Sequence, residues 1–275
     1  MHRIESGIWQ EEAGDNPFVA EVARCRGYDV FGDMLPRAGW ADMVFLLFAG
    51  EAPTATQRGV LNGLAVVLAN SGPRAPAVHA AMCGGAGRAP AAASLMAALA
   101  VGAGRVGGAR EVFLAVDAWR EAKKDAMKMF AALAKTEQDA ADIWPADDTW
   151  PGFDPHSRDC ALPVRQALAH FTTIVSNGAL ASLSIHREGL EHQAMRGLAM
   201  TGVAAAAYID LGLDADQAEM LHLLLCLPGA AAHALEMRSK SYKALPFGDI
   251  ELLQEGALKH KDPAEYFSPS PGAMP

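Results

Sequence analysis

Ala41-Asp-Met-Val-Phe-Leu-Leu-Phe-Ala-Gly50-Glu-Ala-Pro-Thr54 is the stretch on which the fold turns. Its run Val44-Phe45-Leu46-Leu47-Phe48 is the only strand-like segment of the chain. Trp40 and Met43 extend the apolar character at a spacing that favours a helix instead. Immediately downstream, Thr54-Ala-Thr-Gln57 has the residues of a capping box. It opens a helix through Leu61, Leu64, Val67 and Leu68 that Gly72-Pro73 stops. The same logic recurs far along the chain, where Asp214 and Gln217 precede Met220, Leu221, Leu224 and Leu225. Pro228 is expected to kink or divide that helix before it resumes from Ala230 to Met237.

The rest of the chain agrees with a helical protein. Ala91 to Ala103 and Val203 to Ala207 are rich in alanine, the best helix former, whose small side chain lets helix axes approach. Leu198 to Leu213 is the longest greasy stretch, but Thr201, Gly202, Asp210 and Gly212 interrupt it. A buried helix fits it better than a membrane span, which needs about 20 strongly apolar residues. No alternating run marks a sheet and no internal repeat is present, so the fold class is read as all-α. One segment differs. From Thr136 to Arg165 four prolines, two tryptophans and many aspartates make a long irregular connection, of a kind that is often functional. The final Ser268 to Pro275 segment is expected to be flexible.

Bulk properties exclude several function classes. A formal charge of −9 with no Lys/Arg-rich run argues against nucleic acid and against an anionic membrane surface. The polar, acidic N-terminus lacks the apolar core of a signal peptide and the Arg-rich character of a transit peptide, which points to the cytoplasm. Cys25, Cys83, Cys160 and Cys226 are scattered without a CxxC pair, so reduced thiols are expected rather than disulfides or zinc. With 275 residues the chain can form one large domain, or one domain with a smaller lobe.

Several short motifs, taken in order, resemble the citrate synthases, and in particular their short citryl-CoA lyase-like relatives. Arg26-Gly27-Tyr28-Asp29-Val30 followed by the opening stretch matches a Gly-Tyr element and a helix ending in Leu-Leu-x-Gly-Glu-Leu-Pro-Thr. Gly104-Arg-Val-Gly107-Gly108-Ala109 stands where the family has Gly-Pro-Leu-His-Gly-Gly-Ala. Pro151-Gly152-Phe153-Asp-Pro-His156 stands where it has Pro-Gly-Tyr-Gly-His. Asp210 to Asp214 and Gly229 to Glu236 match the last two helices. The resemblance implies a large helical lobe from residues 1–109 and 200–275, a small helical lobe from 110–199, and a site between them completed by a second subunit. It implies a homodimer, with pairing to an intact homologue as the alternative. It also implies a CoA thioester co-substrate, a di- or tricarboxylate ligand and no tightly bound cofactor.

The chemistry that the family performs at this site is altered here. The resemblance places the general base at Thr201, whose hydroxyl is no usable base at neutral pH; loss of such a group typically costs roughly 10²–10⁴-fold. The enol-stabilising histidine falls on Val106, and another site histidine falls on Ser71. His156, reached by a one-residue shift, is the candidate acid/base group; the competing reading is a surface or structural histidine. Arg165 is the nearest match to a carboxylate-gripping arginine, with a surface ion pair as the alternative. Arg105 enlarges a positive site at the glycine pair, or else points to solvent. Thr201 and Ser71 offer hydrogen bonds, and Pro151, Gly152 and Phe153 would cradle the CoA adenine. His233 and Glu236 lie i, i+3 on one helix, but no second ligand pair accompanies them, so no metal site is expected.

Two functions follow. One is an enzyme making or breaking a carbon–carbon bond by an altered mechanism. The other is a catalytically degenerate metabolite-binding protein or partner subunit.

Overall fold

The computed structural model describes residues 6–16, 18–134, 149–240 and 242–245. The stretch 136–148 of the irregular connection and the C-terminal segment from Ser268 to Pro275 lie outside the described residues.

The hydrophobic run of the opening stretch is a helix, α1 (Trp40–Ala49), which Gly50 ends in the left-handed conformation with its N–H on the Leu46 carbonyl. α2 (Ala55–Leu68) starts as expected. Thr54 Oγ1 accepts the Gln57 N–H at 3.2 Å, and the Gln57 carboxamide oxygen accepts the Thr54 N–H at 2.9 Å. α3 (Pro76–Ala86), α4 (Ala91–Gly102), α5 (Ala109–Glu121) and α6 (Ala126–Leu133) follow, then α7 (Leu162–Ile174), α8 (Ala179–Ala194), α9 (Met200–Leu211) and α10 (Ala215–Met237). The all-α reading holds for the body of the chain.

One addition was not anticipated. β1 (Trp9–Ala13), β2 (Ala20–Cys25) and β3 (Tyr28–Asp29) form a small antiparallel sheet in the order β1-β2-β3. Every residue of β1 is exposed, so no apolar alternation announces it in the sequence.

α9 is the axle of the core. Thr201 to Ile209, and Leu211, are buried on all sides, and α2, α5, α7 and α8 pack around them. Its alanines make this enclosure possible, because larger side chains all round would hold the neighbouring axes apart. The largest buried side chains near it are Trp119, Tyr208 and Phe171. Asp210, at the far end of α9, caps another helix. Its carboxylate accepts the Ala179 and Leu180 N–H groups at 2.9 Å each, and Lys124 Nζ lies 3.1 Å away.

α10 is capped by Asp214 and Gln217, as the sequence indicates. Pro228 does not divide it. The helix runs unbroken through 23 residues, while the Gly229 N–H leaves the ladder and donates to the Ala69 carbonyl at the end of α2. Among the described residues α10 is the one helix long and apolar enough to cross a bilayer. Leu221, Leu225, Ala230, Ala234 and Met237 are buried in the protein core, so packing against α3, α4 and α5 accounts for its composition.

Buried within this core, His222 has its Nδ1 3.4 Å from the Tyr208 hydroxyl. Burial alone pushes the His222 imidazole down to about 4. Below its ordinary value the unfolded chain takes up a proton there that the folded chain refuses. Stability therefore falls as pH drops from about 6.5 towards 4, by about 3 kcal/mol from this residue. His222→Gln, which keeps a partner for Tyr208, should flatten the dependence of urea midpoint on pH across that window. An unchanged slope would show that His222 does not titrate abnormally.

Candidate functional site

The sequence places its best candidate segments at the start of α5, before α7 and at the start of α9. One residue joins all three. Glu111, in the first turn of α5, is 3% exposed, and three donors converge on its carboxylate. Oε1 accepts the Thr201 hydroxyl at 2.6 Å and the Gly152 N–H at 2.8 Å, and Oε2 accepts the Gly107 N–H. Burial holds the Glu111 carboxyl above the usual carboxylate range. The Thr201, Gly152 and Gly107 donors pull against that shift, and the negative charge of Asp154 adds to it.

The backbone brings these donors close because two glycines meet. Gly152 has φ +91, and a Cβ there would lie 3.0 Å from the Gly202 Cα. A Cβ on Gly202 would fall against the Gly152 carbonyl oxygen, inside van der Waals contact. In that space Ala199 N–H donates to the Gly152 carbonyl at 2.9 Å, and Phe153 bridges to Leu198 as a single antiparallel pair. Further along, Asp154 N–H donates to the Gly197 carbonyl and Gly197 N–H to the Ser157 carbonyl. The 152–157 loop is thereby laced to the chain entering α9.

Among the residues singled out in the sequence, Thr201 and Gly152 meet at Glu111, and Arg105 and Val106 sit two and one residues before Gly107. Val106 is 46% exposed, and Arg105 is exposed as well. Phe153 is 2% exposed and packs edge-on against Phe130 at 5.7 Å, so its ring is part of the core. Trp150 stacks on the same Phe130 ring at 4.5 Å. Pro151 is half-buried between them in the chain. His156 lies exposed on the loop, its N–H held by the Asp154 carboxylate at 2.8 Å. Arg165 is exposed in the first turn of α7. Ser71 is exposed in the turn after α2, and no described contact joins it to Glu111. His233 Nδ1 lies 3.3 Å from Glu236, and among the described residues no three His, Cys, Asp or Glu side chains cluster.

Glu111 itself is the residue that sequence reading missed. Its one local signal is its register with Ala115, Ala118 and Trp119 on the buried face of α5.

No protein-family model matches the chain, and no curated protein matches it. Solved structures do. The citryl-CoA lyase of Hydrogenobacter thermophilus superposes with a TM-score of 0.71 at 17% identity, covering 96% of this chain and 99% of that one. The chain has the citrate synthase fold. An ATP citrate lyase from Methanothrix soehngenii, solved with citrate and coenzyme A, shares this fold at TM-score 0.69 and 15% identity. The match covers 95% of this chain but 43% of that longer one. A citrate synthase from Thermoplasma acidophilum, solved with carboxymethyl coenzyme A and oxaloacetate, shares it at TM-score 0.54 and 13% identity, over 84% and 61% of the two chains. The Glu111 junction described above is thus a feature of a citrate synthase-like body.

Proposed function

We propose that the protein binds a CoA thioester together with a di- or tricarboxylate and makes or breaks a carbon–carbon bond at an altered site. The observation that carries this reading is the Glu111 junction. One buried carboxylate gathers the glycine pair, the Pro-Gly-Phe loop and the start of α9. These are the segments that the motif resemblance marks as bearing the site. In this reading His156 is the acid/base group, Arg165 and Arg105 grip carboxylates, and Thr201 and Ser71 donate or accept hydrogen bonds. The backbone at Pro151, Gly152 and Phe153 holds the CoA adenine, and neither a metal nor a tightly bound cofactor takes part. The protein works in the cytoplasm as a homodimer or beside an intact homologue, without nucleic-acid or membrane partners, and its cleft lies between residues 110–199 and the remainder.

A second reading is favoured by Val106. A valine side chain neither donates nor accepts a proton, which suits a catalytically degenerate member that binds metabolites or supports a partner subunit.

Two measurements separate these readings. The protein purified alone is expected to release no free thiol from acetyl-CoA and oxaloacetate, since that reaction needs the groups replaced at Thr201, Val106 and Ser71, and clear turnover would overturn the reading of Thr201 and Val106. CoA esters and citrate are expected to raise its melting temperature, as any ligand of the folded state does. If no CoA ester or carboxylate does so, the binding claim is lost and the partner-subunit role gains.

A further inference from the structure

At the end of α5 away from Glu111, the chain gathers positive charge against its own net charge of −9. Arg120, Lys123 and Lys124 line a cavity of about 270 Å³, whose other walls are Trp119, Ile209, Gly212 and Leu213. All three cations are exposed, whereas Trp119, Ile209 and Leu213 belong to the buried core, so the cavity has a cationic rim and an apolar floor. It is open beside Gly212, where an added Cβ would meet nothing within 4 Å.

Part of this charge has an ordinary explanation. Cations near a helix C-terminus answer the helix dipole, and Lys124 Nζ sits 3.1 Å from Asp210 Oδ1. That carboxylate already accepts the Ala179 and Leu180 N–H groups as well. Arg120 and Lys123 pair with no carboxylate among the described residues. The backbone also works to hold the lysines here. Lys123 and Lys124 are both left-handed, at φ +51 and +68, a conformation that glycine reaches freely and lysine does not. Glycine in this turn would relieve the strain and remove the charge.

We infer that this cavity binds a phosphomonoester, with the phosphate on Arg120 and Lys123 and the organic group against Trp119, Ile209 and Leu213. The three cations exceed Asp210 by two charges, which matches the roughly −1.5 to −2 that a phosphomonoester carries at pH 7. The Arg120 guanidinium suits two phosphate oxygens at once, and Lys123 adds a point charge. The cavity is separate from the Glu111 junction. Arg120 stands nine residues beyond Glu111, about 13 Å along the axis of α5. Ile209 likewise stands eight residues beyond Thr201 on α9. The two helices thus meet at the junction by their first turns and at an anion cavity by their last. The inference needs no thioester and stands apart from the proposed carbon–carbon chemistry.

The test is isothermal titration of the full chain with phenyl phosphate near neutral pH and at fixed ionic strength, so that screening is constant. Saturable binding is expected in wild type. Arg120→Gln combined with Lys123→Gln should weaken it at least about tenfold, because two charge-assisted bonds are lost. Arg74→Gln combined with Arg88→Gln removes the same charge from exposed positions elsewhere and should change it less than about twofold. Lys123→Gly, which suits the left-handed turn, is expected to melt higher than wild type yet bind phenyl phosphate more weakly. Succinate, whose two charges are divided between its ends, is expected to bind this site at least about tenfold more weakly than phenyl phosphate. No saturable binding in wild type, or binding that the Arg120 and Lys123 substitutions leave unchanged, overturns the site. Succinate binding of equal strength that depends on Arg120 and Lys123 overturns the phosphomonoester assignment. An acetyl-CoA thermal shift that is lost together with Arg120 and Lys123 would merge the cavity with the thioester site and overturn its independence.

Discussion

Glu111→Ala is expected to lower the folding free energy by about 3 kcal/mol. The substitution strands the Gly107 and Gly152 N–H groups, each at a cost of about 1–3 kcal/mol when no partner replaces the lost one. Thr201 can turn its hydroxyl elsewhere, and loss of a buried charge returns part of what its desolvation cost. The balance is large against a typical total of 5–15 kcal/mol. It corresponds to a melting midpoint roughly 6–12 °C below wild type for a chain of this size. Glu111→Gln retains Oε1 for Thr201 and Gly152 but turns an amide N–H₂ on the Gly107 N–H. It should lose about half as much, a ranking that scanning calorimetry resolves. Equal midpoints for wild type and the alanine variant would mean that the three bonds to Glu111 do not form in solution.

Gly202→Ala is the second large effect, and it acts through shape alone. The added methyl would press on the Gly152 carbonyl, with the Leu198 side chain also close, and neither backbone has a flexible end to swing aside. The loop must lift off the start of α9, which breaks the bond from Ala199 N–H to Gly152 and loosens the bond from Gly152 N–H to Glu111. Overpacking of this kind costs about 1–3 kcal/mol. Ligand binding should suffer more than stability, because the displaced segment is the proposed adenine cradle. Thermal shift by acetyl-CoA is the discriminating measurement. A variant that melts a few degrees lower yet keeps the full ligand-induced shift would separate this loop from the binding site.

Local chemistry made much of the fold legible. Thr54 with Gln57, and Asp214 with Gln217, name their helix starts within four residues, and the structure realises both boxes. Val44 to Phe48 reads correctly as helix because Trp40 and Met43 extend the pattern beyond strand length. Leu198 to Leu213 reads as a buried helix because alanine dominates it. The exposed N-terminal sheet was not legible, since a sheet that buries neither face of its first strand leaves no alternation. Nor was the continuity of α10, because the group that accepts the Gly229 N–H is Ala69, far away in sequence. The candidate site failed for the same reason. Nothing near Glu111 declares that Gly152 and Thr201, 41 and 90 residues distant, will donate to it. The order of motifs led to the right neighbourhood, while the residue that ties it together belonged to no motif.

Asp210 carries a consequence for the order in which the protein assembles. The first turn of α8 has no capping side chain of its own, and its two leading amides are held by a carboxylate that comes after the helix in the chain. As the chain emerges from the ribosome, α8 is complete before its cap has been made. At about 5–20 residues per second that gap lasts on the order of one to a few seconds. The helix waits for its own successor, and α9 enters the core as the part that closes what precedes it.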